Sequence, residues 1–145
     1  MGDDNRERQR SRLLIVDDEL FLINAYRRVL GEWFEVSSAH DARSARRALA
    51  ETGFDVVLVE VAIPGSGESS LARELIEHRP ELVRRMVLTS GGRNIEEALE
   101  LRTLHELVLL LKPVEPQALV AALRGCLARG RRQPPDPPAS NGCRC

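Results

Sequence analysis

The chain has 145 residues, of which 43% are hydrophobic and 3% aromatic, and its formal net charge is -1. This length suits one domain, and the apolar fraction excludes a wholly disordered chain and predicts an aliphatic core. The three cysteines make no disulfide framework, and the charged N-terminus is no signal peptide, so we expect a cytoplasmic protein. No apolar run approaches the roughly 20 residues of a membrane span, and the balanced charge gives no case for nucleic acid or a membrane as partner.

Both ends of the chain have the composition of segments outside the domain. Residues 1–11 are a charged leader, and residues 129–145 are rich in proline, so we expect both to be disordered. The domain is therefore predicted over residues 12–128. On this interpretation no effector domain follows residue 128.

Short apolar runs alternate with stretches of helical periodicity along this region. The runs predict strands at residues 13–16, 34–38, 55–59, 86–89 and 107–111. The stretches between and after them carry apolar stripes at helical spacing. The stripe of the first predicted helix is Leu22, Ala25, Tyr26, Val29 and Leu30. The stripe of the second is Ala45, Ala48 and Leu49, and that of the third is Leu71, Leu75 and Ile76. The stripe of the fourth predicted helix is Ile95, Ala98 and Leu99, and that of the fifth is Leu119, Ala122, Leu123, Cys126 and Leu127.

Capping and breaking residues mark the ends of several predicted helices. Gly31 ends the first helix, and Asp41 can cap the second at its N-terminus. The third ends near Pro80, and Pro116 suits the first turn of the last. A strand followed by a helix, repeated five times, predicts an α/β fold in which a parallel sheet is covered by helices on both faces.

Polar side chains follow the predicted strands, at the edge where ligands bind in such folds. They are Asp17 and Asp18, then Glu60, then Thr89, then Lys112. Adjacent carboxylates resist joint ionisation, and Mg²⁺, which prefers oxygen ligands, relieves their repulsion. A phosphoryl group there could be stabilised by the metal, the ammonium and the hydroxyl. Taken singly, each residue also fits an ordinary structural role, such as a helix cap or a solvated loop side chain.

Four motifs carry a resemblance to a known family. They are LIVDDE at residues 14–19, FDVVLVEVAIPG at 54–65, VLTSG at 87–91 and LKPV at 111–114. In this order they resemble the response-regulator receiver domains of two-component signalling, of the chemotaxis-regulator type, over about residues 12–128. The resemblance implies a flavodoxin-like, doubly wound (βα)5 fold with strand order 2-1-3-4-5. It also implies a signalling protein rather than an enzyme.

The resemblance assigns roles to individual positions. Asp17 and Asp18 would be the acidic pair that holds Mg²⁺, with Asp18 the more direct ligand. Glu60 would occupy the phospho-acceptor position and, with the carbonyl of Ala62, complete the metal site. Thr89 would contact the phosphoryl group, and Lys112 would pair with that group or with the central carboxylate.

Two positions depart from the family pattern. Glu60 stands where the family has an aspartate, and one more methylene displaces a nucleophile that must be aligned within about 3–3.5 Å. Leu109, three residues before Lys112, stands where many receivers carry a switching aromatic residue. Both departures predict a pseudo-receiver with a weakened phosphorylation switch and a weakened Mg²⁺ site.

Three functions remain open at this point. The first is a single-domain regulator, monomeric or weakly dimeric, that binds a histidine kinase or another signalling protein. The second is a genuine receiver that accepts a phosphoryl group and passes it on. The third is a small flavodoxin-like enzyme or cofactor binder, against which Asp17 and Asp18 count because they would repel phosphate in the absence of a metal.

Overall fold

A five-stranded parallel sheet forms the centre of the computed structural model, which describes residues 10–132. The strands are β1 (Ser11–Val16), β2 (Phe34–Ala39), β3 (Val56–Glu60), β4 (Met86–Ser90) and β5 (Val108–Leu111). Their order is β2-β1-β3-β4-β5. The predicted flavodoxin-like fold with order 2-1-3-4-5 is therefore confirmed.

Five α-helices connect and follow the strands. They are α1 (Leu20–Leu30), α2 (Ala42–Glu51), α3 (Leu71–His78), α4 (Ile95–His105) and α5 (Pro116–Arg132). A 3-10 helix, Pro80–Arg85, lies between α3 and β4 and was not predicted. Pro80 ends α3 as expected, but it also starts this turn, because proline is well suited to a helical first position. Among the described residues, no helix is long and apolar enough to cross a membrane.

Strand alternation divides the core into two layers. Side chains such as Leu14, Val57 and Leu88 point to the face covered by α2, α3 and α4. Their neighbours along the strands, such as Ile15 and Leu58, point to the face covered by α1 and α5. Because both faces of the sheet are buried, the central strands are apolar at nearly every position.

The predicted domain boundaries fall close to the ends of the described elements. β1 includes Ser11, which was assigned to the leader, and α5 continues through residues 129–132, which were assigned to the tail. Arg10 is described but belongs to no strand or helix, and residues 1–9 and 133–145 of the two predicted segments lie outside the described residues.

Caps and turns determine where two of the helices begin and end. Asp41 caps α2 as predicted: its carboxylate accepts a hydrogen bond from Ser44 N at 2.8 Å, and Ser44 Oγ accepts one from Asp41 N. At the end of α4, Glu106 has φ 56°, in the left-handed region that favours glycine. A side chain with a Cβ atom is strained in this conformation.

We expect Glu106→Gly to raise the free energy of unfolding by roughly 0.5–1 kcal/mol, because glycine relieves the left-handed strain at a helix end. Urea denaturation would measure the change. Glu106→Ala is the matched control, since alanine removes the carboxylate but keeps the Cβ atom. An equal gain from both variants would show that charge, not backbone conformation, is responsible.

Candidate functional site

Four of the predicted side chains meet at the carboxyl edge of the sheet. Asp17 directly follows β1, Glu60 ends β3, and Lys112 directly follows β5. Thr89 lies in β4, in register with Glu60. The chain order of neighbouring strands reverses between β1 and β3, so the cluster lies where such folds bind their ligands.

The ammonium of Lys112 is the centre of this cluster. Its Nζ lies 2.6 Å from Glu60 Oε1 and 2.7 Å from Asp17 Oδ2. Both carboxylates are buried, and the lysine side chain is 14% exposed. Burial alone lowers the pKa of Lys112, but the hydrogen bonds and charges of Asp17 and Glu60 outweigh it and raise the pKa above its ordinary value. The lysine is therefore charged and serves as the counter-ion of two buried carboxylates.

The remaining carboxylate oxygens also have protein donors. Asp17 Oδ1 accepts a hydrogen bond from Glu19 N at 2.9 Å, and Glu60 Oε2 accepts one from Ala62 N at 3.1 Å. Thr89 Oγ1 lies 3.5 Å from Glu60 Oε1, at the limit of a hydrogen bond. Each oxygen of these two carboxylates is thus engaged by the protein itself.

Asp18 does not join the cluster. Its side chain is half exposed, and its Oδ2 lies 3.8 Å from an Arg93 guanidinium nitrogen. Lys112 thus pairs with Asp17 and Glu60, whereas the half-exposed Asp18 side chain lies near Arg93 and takes no part in these ion pairs. Within residues 10–132, no group of three or more His, Cys, Asp or Glu side chains is arranged to hold a metal ion.

Hydrogen bonds between loops hold the strand ends in place. Val61 N donates to Thr89 O at 2.9 Å, and Lys112 N donates to Ser90 O at 2.8 Å. Lys112 precedes a cis proline, Pro113. Leu109 is partly buried and packs on the core layer beneath α2, α3 and α4. The hydrogen bond of Lys112 N to Ser90 O and the packing of Leu109 set the position from which the Lys112 side chain reaches the carboxylates.

A second network fixes the loop after Pro64 and was not predicted. Glu74 accepts hydrogen bonds from Arg46 Nε and Ser66 N, both at 2.7 Å, and the Arg46 guanidinium also bonds Ser66 Oγ. The hydrogen bond from Arg46, with that from Ser66, lowers the pKa of Glu74 to about 2. The partners lie far apart in the sequence, so only the acidic and basic residue types could have hinted at them.

The chain belongs to the response regulator receiver domain family, whose model matches residues 13–124. It is 30% identical over 122 residues to the aerobic respiration control protein ArcA of Escherichia coli (strain K12), covering 83% of this chain and 50% of that protein. It is also 30% identical over 126 residues to the DNA-binding response regulator MtrA of Mycobacterium tuberculosis, covering 86% and 54%. The chain thus spans about half the length of these relatives.

Solved structures show the same fold. A CheY-like receiver domain protein from Methanospirillum hungatei JF-1 superposes with a TM-score of 0.72 at 20% identity, covering 86% of this chain and 98% of that one. Together with the family match, this identifies a receiver domain of two-component signalling, as the four motifs predicted.

We expect Lys112→Met to lower the free energy of unfolding by about 3 kcal/mol or more, because it leaves two buried carboxylates without their counter-ion. Arg93→Met is the matched control: it breaks an exposed ion pair and should cost about 0.5 kcal/mol or less. Urea denaturation at neutral pH would compare them. Adding Glu60→Gln to Lys112→Met should recover part of the loss, since one unpaired charge disappears.

The contribution of Glu74 to stability should depend on pH. Its pKa is lowered from 4.5 to about 2 in the folded protein, so its contribution is complete above pH 4.5 and is lost as the pH falls toward 2. Unfolding free energies of the wild type and Glu74→Gln should therefore converge over this window. Glu100→Gln, at a more exposed position that also pairs with an arginine, is the control and should cost less stability than Glu74→Gln at neutral pH.

Proposed function

We propose that this receiver domain is a pseudo-receiver, a signalling module whose phosphorylation switch is weakened because Glu60 stands at the phospho-acceptor position. The observation that carries the proposal is the 2.6 Å contact between Glu60 Oε1 and Lys112 Nζ, with Thr89 Oγ1 at 3.5 Å from the same oxygen. The two groups suited to stabilising a phosphoryl group are thus already directed at the glutamate.

The length of the glutamate side chain explains why phosphorylation would be slow. An attacking oxygen must lie within about 3–3.5 Å of its target in the correct direction, and an error of about 1 Å can cost about 100-fold in rate. The additional methylene carries the Glu60 carboxylate further from β3 and onto the Lys112 ammonium. There it imitates a phosphorylated side chain in part, with one negative charge instead of about 1.5 to 2.

The ion pairs of Lys112 with Asp17 and Glu60 also count against strong binding of Mg²⁺ at this site. The metal would draw its ligands from Asp17, Asp18, Glu60 and the carbonyl of Ala62. As arranged, this set does not fit an octahedral cation, because Lys112 already neutralises Asp17 and Glu60 and Asp18 faces solvent. A cation would have to compete with the lysine for the same oxygens.

We further propose that the described domain acts in the cytoplasm through protein contacts and without catalytic activity. Two apolar side chains in the first turn of α1 lie close to the site: Leu20 is 64% exposed and Phe21 83%. Leu104 of α4 and Leu111 of β5 are similarly exposed, at 62% and 59%. Exposed apolar side chains that lie together mark contact surfaces, and Leu20 and Phe21 are neighbours in the sequence. A histidine kinase or another signalling protein is the partner we propose, with the domain monomeric or weakly dimeric.

MtrA is a DNA-binding response regulator, but we propose no nucleic acid or membrane partner for the described residues. The near-neutral charge of the chain supports this choice, because nucleic-acid binding rests largely on basic charge. The surfaces that support the proposal are apolar instead.

Intact-mass spectrometry after incubation with Mg²⁺ and acetyl phosphate would test the weakened switch. We expect no phosphoryl adduct on the wild type and one adduct on Glu60→Asp, because aspartate restores the shorter side chain. Glu74→Asp is the matched control: it shortens a glutamate outside the cluster and should gain nothing.

Two outcomes would overturn the proposal. An adduct on the wild type that Glu60→Gln abolishes would identify a genuine phospho-accepting receiver, the second function that the retained Thr89 and Lys112 support. No adduct on Glu60→Asp would show that the length of the side chain at position 60 is not what prevents phosphorylation.

A further inference from the structure

A cavity of about 210 Å³ lies where α4, α5 and the 3-10 helix Pro80–Arg85 come together. Because α4 leads back to the start of β5, this cavity lies at the amino edge of the sheet, opposite the Glu60 cluster. Its volume is below the range of about 300–1,000 Å³ that is usual for small-molecule sites. One or two side chains of a peptide segment therefore suit it better than a cofactor does.

Contacts among the described residues fix the shape of this cavity. The Cys126 thiol donates a hydrogen bond to Arg84 O at 3.4 Å, which ties α5 to the 3-10 helix. The left-handed conformation of Glu106 turns the chain out of α4, and the buried Leu107 then forms part of the cavity wall together with Val83. A segment that docks here therefore meets a preformed site.

The polar groups of the cavity favour an acidic occupant. Arg84, His105 and Arg129 line it, against one carboxylate among its described lining residues, that of Glu106. A guanidinium group and an imidazole N–H both donate hydrogen bonds to a carboxylate. Val83 and Leu107 add apolar surface to the same cavity. An acidic residue flanked by rigid apolar ones would match both kinds of wall.

The chain itself carries such a segment close to the cavity. Residues 134–138 read Pro-Pro-Asp-Pro-Pro, and Asp136 is the only acidic residue from 129 to 145. Arg129 lies three residues before the end of α5 at Arg132, about 5 Å along the helix axis. Two to four extended residues beyond Arg132 span about 7–14 Å, so residues 134–136 can reach the cavity.

We propose that residues 134–138, which lie beyond the described part of the chain, dock in this cavity. The Asp136 carboxylate pairs with Arg129 and His105, and the prolines pack against Val83 and Leu107. Proline lowers the entropic cost of this docking, because its ring already fixes φ before the segment binds.

The docked segment competes with partners for the proposed contact surface. Leu104, whose exposed side chain belongs to that surface, directly precedes His105 in α4. A partner that approaches Leu104 therefore meets the docked segment at the end of the same helix and binds more tightly once the segment is displaced. This consequence rests on the proposed function, whereas the docking itself does not.

NMR spectroscopy of the full chain would detect the docking directly. We expect NOEs between the Pro135 ring and the Leu107 methyl groups, and changed amide shifts of Leu107 and the 3-10 helix in a Pro134→Ser/Pro135→Ser/Asp136→Asn variant. Ser140→Ala, two residues beyond the proline run, is the matched control and should leave these amides unchanged. Unchanged amides in the triple variant would overturn the proposal.

The backbone amide of Asp136 reports whether charge holds the segment in place. Its NMR order parameter should exceed about 0.6 in the wild type and fall below that value in Arg129→Met, because values under about 0.6 mark a flexible backbone. Arg124→Met is the matched control, since Arg124 also belongs to α5 but its guanidinium stacks on Trp33 at 4.1 Å. A wild-type value under about 0.6, or one that Arg129→Met leaves unchanged, would overturn the pairing.

A second copy of the chain is the competing source of this segment. A sample that mixes ¹⁵N-labelled and ¹³C-labelled chains separates the two arrangements, since only an exchange between copies gives NOEs from one label to the other. Such NOEs would overturn docking within one chain. The phosphorylation experiment with Glu60→Asp has a different readout, so this proposal and the proposed function can fail independently.

Discussion

The ion pairs of Lys112 with Asp17 and Glu60 are the interaction on which the carboxyl edge of the sheet depends. Three residues at the ends of β1, β3 and β5 meet there, so one ammonium joins strands that are not all neighbours in the sheet. Two buried carboxylates without a cation would repel each other and lack the solvation that water provides. The Lys112 ammonium supplies the positive charge that stabilises the two buried carboxylates, so their counter-ion is a side chain of the protein itself.

The backbone geometry of the sheet already brings these residues to one edge. Parallel strands place all their carboxyl ends at one edge, and the register of β3 with β4 puts Thr89 beside Glu60. The bond from Lys112 N to Ser90 O then anchors the lysine backbone to the end of β4. The apolar strands fix these positions because both faces of the sheet are buried, so a shift by one residue would exchange the two core layers.

The sequence predicted the fold and most of the site for the same physical reason. Alternating strand and helix periodicity allows few topologies, and residues that follow strands must gather at one edge, which located Asp17, Glu60, Thr89 and Lys112. It did not predict that Asp18 faces solvent, because both members of an adjacent pair satisfy the same pattern. Nor did it predict the bonds of Arg46 to Glu74, since periodicity carries no information about which distant charged side chains pair.

Charge balance also supports the proposed role of Glu60. A carboxylate that stops short of the lysine leaves room for a second anion and for the cation that accompanies it. Glu60 reaches the ammonium at 2.6 Å and also receives the Ala62 amide, so its charge is matched within the folded chain. On the proposed function, a site balanced in this way gains little from a phosphoryl group or a metal.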